Sequence, residues 1–271
     1  MIMAVIAVPA ARTTSLGSST LQIAKRAVLR YLRTPQLVVL GTIQGAMFLL
    51  IFRYVFGGAI ALKGGIAYVD FLVPGFITTG VLFSGMGAAT GVAEDLEQGF
   101  VDRLRSLPVP RISFLTGRAA ADTVWNAWGL VITAAIGFAV GFRLHGPVTD
   151  ALAAFGLCVV FGFAFEWLFI LLGLIAGTPQ AAQGMALLVF PFTFISSAYV
   201  PVASMPGWLQ AFASHQPITY MVDAVRVLSE GRAAELLIGH PAGYLVARSL
   251  LWALGLVVVF APLAALRYSR S

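Results

Sequence analysis

Residues 94–118 read EDLEQGFVDRLRSLPVPRISFLTGR, a charged stretch lying between two long apolar runs. It holds four acids (Glu94, Asp95, Glu97, Asp102) and four arginines (Arg103, Arg105, Arg111, Arg118) in a chain of 271 residues of which only 10% are charged. So many charges cannot lie in hydrocarbon, and the stretch must fold as a polar structure at a membrane surface. Leu96, Phe100, Leu104 and Leu107 recur every three or four residues, which puts them on one stripe of a helix while Glu97, Asp102, Arg103 and Arg105 project elsewhere. The acids precede the arginines, the order that a helix macrodipole favours. Pro108 and Pro110 then stop the helix, and Arg111 starts the next segment. Joining two neighbouring helices takes only ~2–8 residues. The hook is longer than that, so a contact with a partner stands beside the plainer reading of a surface helix that links two spans.

Working outward, the flanks are apolar enough to need lipid. The chain is 59% hydrophobic with a mean hydropathy of +0.92, whereas about a quarter of a soluble protein's residues are charged. A bilayer core about 30 Å thick is crossed by ~20 helical residues. Six runs meet that length, roughly 36–58, 70–93, 119–142, 150–176, 181–203 and 244–266, and they predict an all-α integral membrane protein. The fourth and fifth are parted only by Gly177-Thr178-Pro179-Gln180. A barrel would show alternating strands of ~10 residues instead. Cys158 is the only cysteine, so no disulfide or thiolate metal site forms within one chain. The opening MIMAVIAVPAAR has no charge before its apolar stretch, is a poor signal peptide and is expected to remain as a loose tail.

Basic residues orient the spans. The tail (Arg12, Lys25, Arg26, Arg30, Arg33), the hook and the C-terminal Arg267 and Arg270 place eleven of the 17 lysines and arginines on one side. Six spans with both termini and the hook in the cytoplasm satisfy this bias. The net charge of +6 then reflects anionic lipid and not nucleic acid. Lys25 and Lys63 are the only lysines, a bias towards arginine that suggests a GC-rich bacterial genome; the expected location is a bacterial inner (plasma) membrane. Residues 1–35 are read as a cytoplasmic tail and an interfacial helix, and 36–271 as one transmembrane domain. RTTSLGSST at 12–20 is linker-like. From Ser19 a helix presents Leu21, Ala24, Val28, Tyr31 and Leu32 on one face and Arg26, Arg30 and Arg33 on the other. This describes a helix lying in the interface, as a lipid anchor or with an added cytoplasmic contact.

Between the fifth and sixth runs, Trp208, Leu209 and Phe212 suggest a short interfacial helix, and Tyr220, Met221, Ala224, Val225 and Leu228 form a second stripe with Asp223 and Arg226 facing away. Neither is long enough to span a bilayer; both fit re-entrant or surface helices. Glu166 is the one acid deep in a span. It reads first as a structural acid bonded to a neighbouring helix, with a proton relay or a cation-binding group as the alternatives. Asp122 pairs with Arg118 at helical spacing. Gly80, Gly85, Gly87 and Gly91 permit close helix approach in the second span. No phosphate-binding loop exists, since Lys63 stands between Leu62 and Gly64, and no His-Glu-x-x-His or Gly-x-Ser-x-Gly motif occurs. His145, His215 and His240 are scattered on the outer side, so neither a catalytic nor a metal-ligating set is expected.

Two blocks carry a resemblance. Glu97, Gly99, Leu104-Arg105, Leu107-Pro108-Val109 and Gly117-Arg118 follow the cytoplasmic pattern of bacterial ABC type-2 transporter permeases, particularly the daunorubicin-resistance efflux family. Pro201-Val-Ala-Ser-Met-Pro-Gly-Trp208, Gln216-Pro217-Ile-Thr-Tyr220 and Ala224-Val-Arg226 are similar to the pattern before that family's last span, with Gln216 where asparagine is usual, a change expected to alter only a cap. The resemblance implies that the hook is a coupling helix docking into a separate ATPase subunit, a role falling on Leu96, Glu97, Phe100, Asp102, Arg103, Leu104, Arg105 and Leu107. It implies two permease chains, identical or paralogous, whose second and fifth helices flank a path. Phe76, Thr79 and Phe83, with Phe190, Phe194 and Ser197, are the candidates for its wall. ATP and magnesium would then belong to the partner, with no cofactor in this chain. The expected function is the membrane subunit of an ATP-driven exporter of hydrophobic drugs or lipid-like compounds. A polysaccharide or polar-polymer exporter and a proton-coupled carrier using Glu166 are the alternatives.

Overall fold

The computed structural model describes residues 16–32, 35–58, 60, 66–106, 110 and 112–270, and all their regular structure is helical. Among the described residues, three helices are long and apolar enough to cross a bilayer, α3 (Tyr68–Glu97), α6 (Val148–Ala176) and α12 (Ala242–Arg270). The first run forms α2 (Pro35–Ile51) and continues as a π turn, Phe52–Phe56. The third forms α5 (Ile112–Ala139), which begins seven residues before the expected 119 and carries Arg118 and Asp122 in its first half and Asn126 at its middle. α3 is the centre, packing on α5, α6, α7 (Pro179–Leu187) and α10 (Pro217–Glu230). α12 lies along α6, and α1 (Leu16–Leu32) lies along α5. α2 is peripheral and turns Ile43, Met47, Leu50 and Ile51 outward.

Close approach at α3 is a matter of missing side chains. A β-carbon on Gly85 would overlap the Phe169 ring of α6, one on Gly91 the Arg118 guanidinium of α5, and one on Gly75 the Ala198 backbone. Gly173 returns the contact from α6 by lying against the Ala89 backbone. Of the four glycines expected to pack, Gly80 and Gly87 face open space. In lipid, where burial in water-free surroundings gives no hydrophobic gain, such backbone proximity supplies the dispersion that holds helices together.

The fifth run departs from a single helix over 181–203. It is α7, then α8 (Phe190–Phe194), then an irregular stretch in which Ser196, Ser197, Ala198 and Tyr199 are buried, and a 3₁₀ turn, Val202–Ser204. Pro191 removes a backbone donor, and the chain bends away from the helix axis after Ile195. Irregular backbone at such depth survives only where protein groups satisfy it. Gln216 Nε2 donates to the Phe192 carbonyl (3.1 Å) and to that of Ile195. Arg226 Nη2 reaches the Ser197 carbonyl (2.7 Å), and the Tyr68 hydroxyl reaches that of Tyr199 (3.1 Å).

This also corrects the reading of α10. Asp223 and Arg226 face inward, and Arg226 is fully buried. Its Nε donates to the Phe71 carbonyl at 3.0 Å and its Nη1 to Asp223 Oδ1 at 2.8 Å, while the guanidinium stacks 3.7 Å from the Phe71 ring centre. Asp223 in turn accepts from the Ser197 hydroxyl at 2.6 Å. The apolar period of α10 is real, with Met221, Ala224 and Val225 buried, but the helix is enclosed nearly all round by α3, α6 and α12. α9 (Gly207–Ala213) carries Trp208 at 77% exposure, as a belt aromatic should. α11 (Arg232–Ile238) links α10 to α12.

Candidate functional site

Gly99 sits in the left-handed region (φ +63°), where only glycine is unstrained, and there the chain turns from α3 into α4 (Phe100–Arg105). The turn closes with Gln98 N–H on the Glu94 carbonyl (2.9 Å) and Gly99 N–H on that of Leu96 (3.0 Å). The stripe foreseen on the hook exists: Leu96, Phe100 and Leu104 pack against a core that includes Ile23 of α1, Phe114 and Leu115 of α5 and Tyr268 of α12. Phe100 meets Phe114 at 6.3 Å, and Phe114 stacks on Tyr268 at 5.4 Å. Val101, absent from that stripe, is buried as well. These side chains therefore seat the hook on its own protein. Glu97, Asp102 and Arg103 face solvent, with Arg103 Nη2 donating to the Gln98 carbonyl at 3.1 Å. Leu107 and the side chain of Arg105 lie outside the described residues.

Beneath the hook runs a chain of charges. Asp95 is buried and accepts from Arg26 of α1 at 3.3 Å, with Arg118 of α5 3.6 Å away. Arg118 Nε donates to Asp122 Oδ2 at 2.7 Å, the pair that the spacing foretold, and Arg118 Nη2 to the Gly87 carbonyl at 3.3 Å. Arg26 also stacks 3.6 Å over the Phe100 ring. Arg26 stays 46% exposed, and its guanidinium reaches round to Asp95 and Phe100; the buried face of α1 is formed by Ser19, Ile23 and Ala27, while Leu21, expected on the apolar face, is exposed. The Thr20 and Thr116 hydroxyls pair at 3.1 Å, and Gly117 lets Ile23 sit on α5. The expectations for Tyr31, Leu32, Arg30 and Arg33 fall on side chains outside the described residues. Asp95 had one local signal: it shares a helical face with Ala88 and Val92, both buried. Nothing local announces Arg26 as its partner.

The hook is thus pinned to three helices by a largely buried charge network and keeps a polar outer edge. The family model described as ABC-2 type transporter matches residues 18–228, from α1 through most of α10. The chain belongs to the ABC-2 type transporter family. It is 33% identical to the daunorubicin resistance ABC transporter permease protein DrrB1 of Streptomyces coeruleorubidus over 93% of this chain and 86% of that protein. It is 29% identical to the probable doxorubicin resistance ABC transporter permease protein DrrC of Mycobacterium tuberculosis over 77% and 75%. The inner membrane transport permease YadH of Escherichia coli is 25% identical over 70% and 74%. This chain is accordingly an ABC permease, a multi-pass membrane component of transport and not an enzyme, and membership of the family implies an ABC ATPase partner and a dimeric arrangement.

The remaining site candidates of this ABC-2 permease fall into two groups. Phe83 and Phe190 meet at 5.3 Å, and Phe190 and Phe194 at 4.9 Å, on a face that is partly open. Phe76, Thr79 and Ser197 are buried within the chain. Thr79 pairs with the Tyr199 hydroxyl (3.1 Å), and Phe76 and Phe194 both lie against the Tyr199 ring, at 6.2 and 5.0 Å. Tyr199, which sequence reasoning passed over, is thus the joint between α3 and the broken fifth run; its position four residues past the bend is what concealed it. Glu166 is buried on α6 and accepts from Asn126 Nδ2 of α5 at 2.6 Å; its Oε2 has no hydrogen-bond partner among the described residues.

Proposed function

We propose that this chain is the membrane subunit of an ATP-driven exporter of hydrophobic, drug-like or lipid-like compounds, working with a separate ATPase that binds the ATP and magnesium. The reading rests on the exposed polar edge of Glu97, Gln98, Asp102 and Arg103, carried on a hook that the Arg26–Asp95–Arg118–Asp122 network ties to α1, α3 and α5. A push on that edge moves all three helices together, because the inner face of the hook is packed on them. The coupling function is assigned to the outward residues Glu97, Asp102 and Arg103, while Leu96, Phe100 and Leu104 transmit the load. Arg105 and Leu107 complete the same segment in sequence.

Six crossings, with both termini and the hook in the cytoplasm of a bacterial inner membrane, agree with the basic-residue bias. Phe83, Phe190 and Phe194 supply an apolar wall suited to aromatic cargo, facing a second permease chain across the path. The similar daunorubicin and doxorubicin resistance permeases point to the same cargo class. Cells expressing the permease with its ATPase should accumulate several-fold less daunorubicin than cells with an ATPase lacking its phosphate-loop lysine. Efflux that persists without ATP and collapses with the proton gradient would refute the reading.

Glu166 serves as a bonded structural acid in this account. Glu166→Gln retains an acceptor for Asn126 and adds a donor towards the unpartnered Asn126 Oδ1. Thermal melting and drug efflux should stay near wild type, whereas Glu166→Leu strands the Asn126 amide and should lose about 1–3 kcal/mol of stability. Abolished efflux in a normally folded Glu166→Gln protein would instead make the acid a proton carrier.

A further inference from the structure

At the end of α3 opposite the hook, three residues distant in sequence come together. Asp70 lies in the first turn of α3, His145 in the connection from α5 to α6, and Glu230 at the end of α10, and each offers a ligand atom within 4.8 Å of the others. His145 Nδ1 is 2.8 Å from Glu230 Oε2. Glu230 Oε1 is buried without a hydrogen-bond partner among the described residues, on a side chain only 3% exposed. The backbone holds the three in place: Arg143 N–H donates to Asp70 Oδ1 at 3.2 Å, and the His145 and Gly146 N–H groups donate to the Ser229 carbonyl at 3.0 and 3.1 Å.

Two carboxylates this close repel, and an orphaned buried oxygen carries its full desolvation cost. Neither nearby arginine side chain relieves this by hydrogen bonding. Arg226 is committed to Asp223, Phe71 and Ser197, and Arg143 donates to the Phe138 and Phe142 carbonyls. The His145 imidazole, 54% exposed, leaves a way in from solvent.

We propose that Asp70, His145 and Glu230 bind a divalent transition-metal ion of the zinc class, which clasps α10 to α3 and to the α5–α6 connection. One imidazole with two carboxylates suits zinc, and leaves a fourth position for water; magnesium and calcium prefer all-oxygen sets. Zinc bonds of about 2.0–2.2 Å hold ligand atoms about 3.3 Å apart, so small side-chain rotations close the site. Because α10 also carries the Arg226 that holds the broken fifth run, the ion stiffens the helices around that bend.

The test uses the full chain, purified without a histidine tag and stripped of metal. Calorimetric titration with zinc should show one ion per chain at micromolar affinity or tighter, with a raised melting temperature. Cobalt should give the visible absorption of a low-coordinate site. His145→Ala, at an exposed position, should weaken zinc binding at least tenfold and remove the cobalt bands while the protein stays monodisperse. Glu230→Gln should do the same, and His215→Ala should change nothing. No stoichiometric binding by the wild type, or equal affinity in His145→Ala, overturns the proposal.

Discussion

Replacing Arg226 with methionine should remove most of the folded permease from the membrane. Methionine matches the length of the side chain but strands the Asp223 carboxylate and leaves the Phe71 and Ser197 carbonyls without their donor. Removing one partner of a buried pair costs about 3–5 kcal/mol, a large share of the 5–15 kcal/mol that holds a typical domain folded. Arg226→Lys should recover little, because one ammonium cannot reach in three fixed directions as the planar guanidinium does. The double variant Arg226→Met/Asp223→Asn should be partly rescued, since no charge is then left alone. Size-exclusion profiles and thermal melts in detergent measure all three. A stable, monodisperse Arg226→Met protein would show that the bend of the fifth run stands without this clamp.

Reversing the charges at the hook's outer edge, Asp102→Arg with Arg103→Glu, should leave folding intact and reduce drug-stimulated ATP hydrolysis at least tenfold. Both side chains face solvent, so the substitution leaves the inward packing of Phe100 and Leu104 untouched, and exposed substitutions of this kind cost within about 0.5 kcal/mol. At an interface, by contrast, like charges brought together cost several kcal/mol. Phe100→Asp should fail differently, by unseating the hook and taking the Arg26 stack with it, and should lower the melting temperature as well as the coupling. Co-purification of the ATPase with each variant separates the two failures.

Periodicity and charge went far in this chain. The apolar runs located α3, α6 and α12 to within four residues at each end, because nothing in them competes with helix and lipid tolerates only helix there. The hook's inward stripe and the Arg118–Asp122 pair were legible for the same reason: both are set by spacings of three or four within one helix. The break in the fifth run was not, since Pro191 alone is compatible with a kink; what makes a full bend tolerable is Gln216, just before α10, and Arg226 within it, donors distant in sequence from the bend. Gln216, at the N-cap of α10, does not cap that helix with its side chain; its amide donates instead to the Phe192 and Ile195 carbonyls. Arg226 and Asp223 were placed outward because charges usually are, a rule that yields where an unpaired backbone must be satisfied. Arg26 with Asp95, and Asp70 with His145 and Glu230, unite residues 69 or more positions apart or joined only by tertiary packing, and no local pattern encodes such meetings.

The central claim is that the hook is a cytoplasmic handle gripped by a separate ATPase. Cys158 is the only cysteine and is buried, so Asp102→Cys introduces one accessible thiol. That thiol, carrying a benzophenone photocrosslinker, should join to the ATPase in inverted membrane vesicles, and should resist a membrane-impermeant maleimide in intact cells. Labelling from outside the cell, or no ATPase adduct from a complex that still exports drug, would contradict the account.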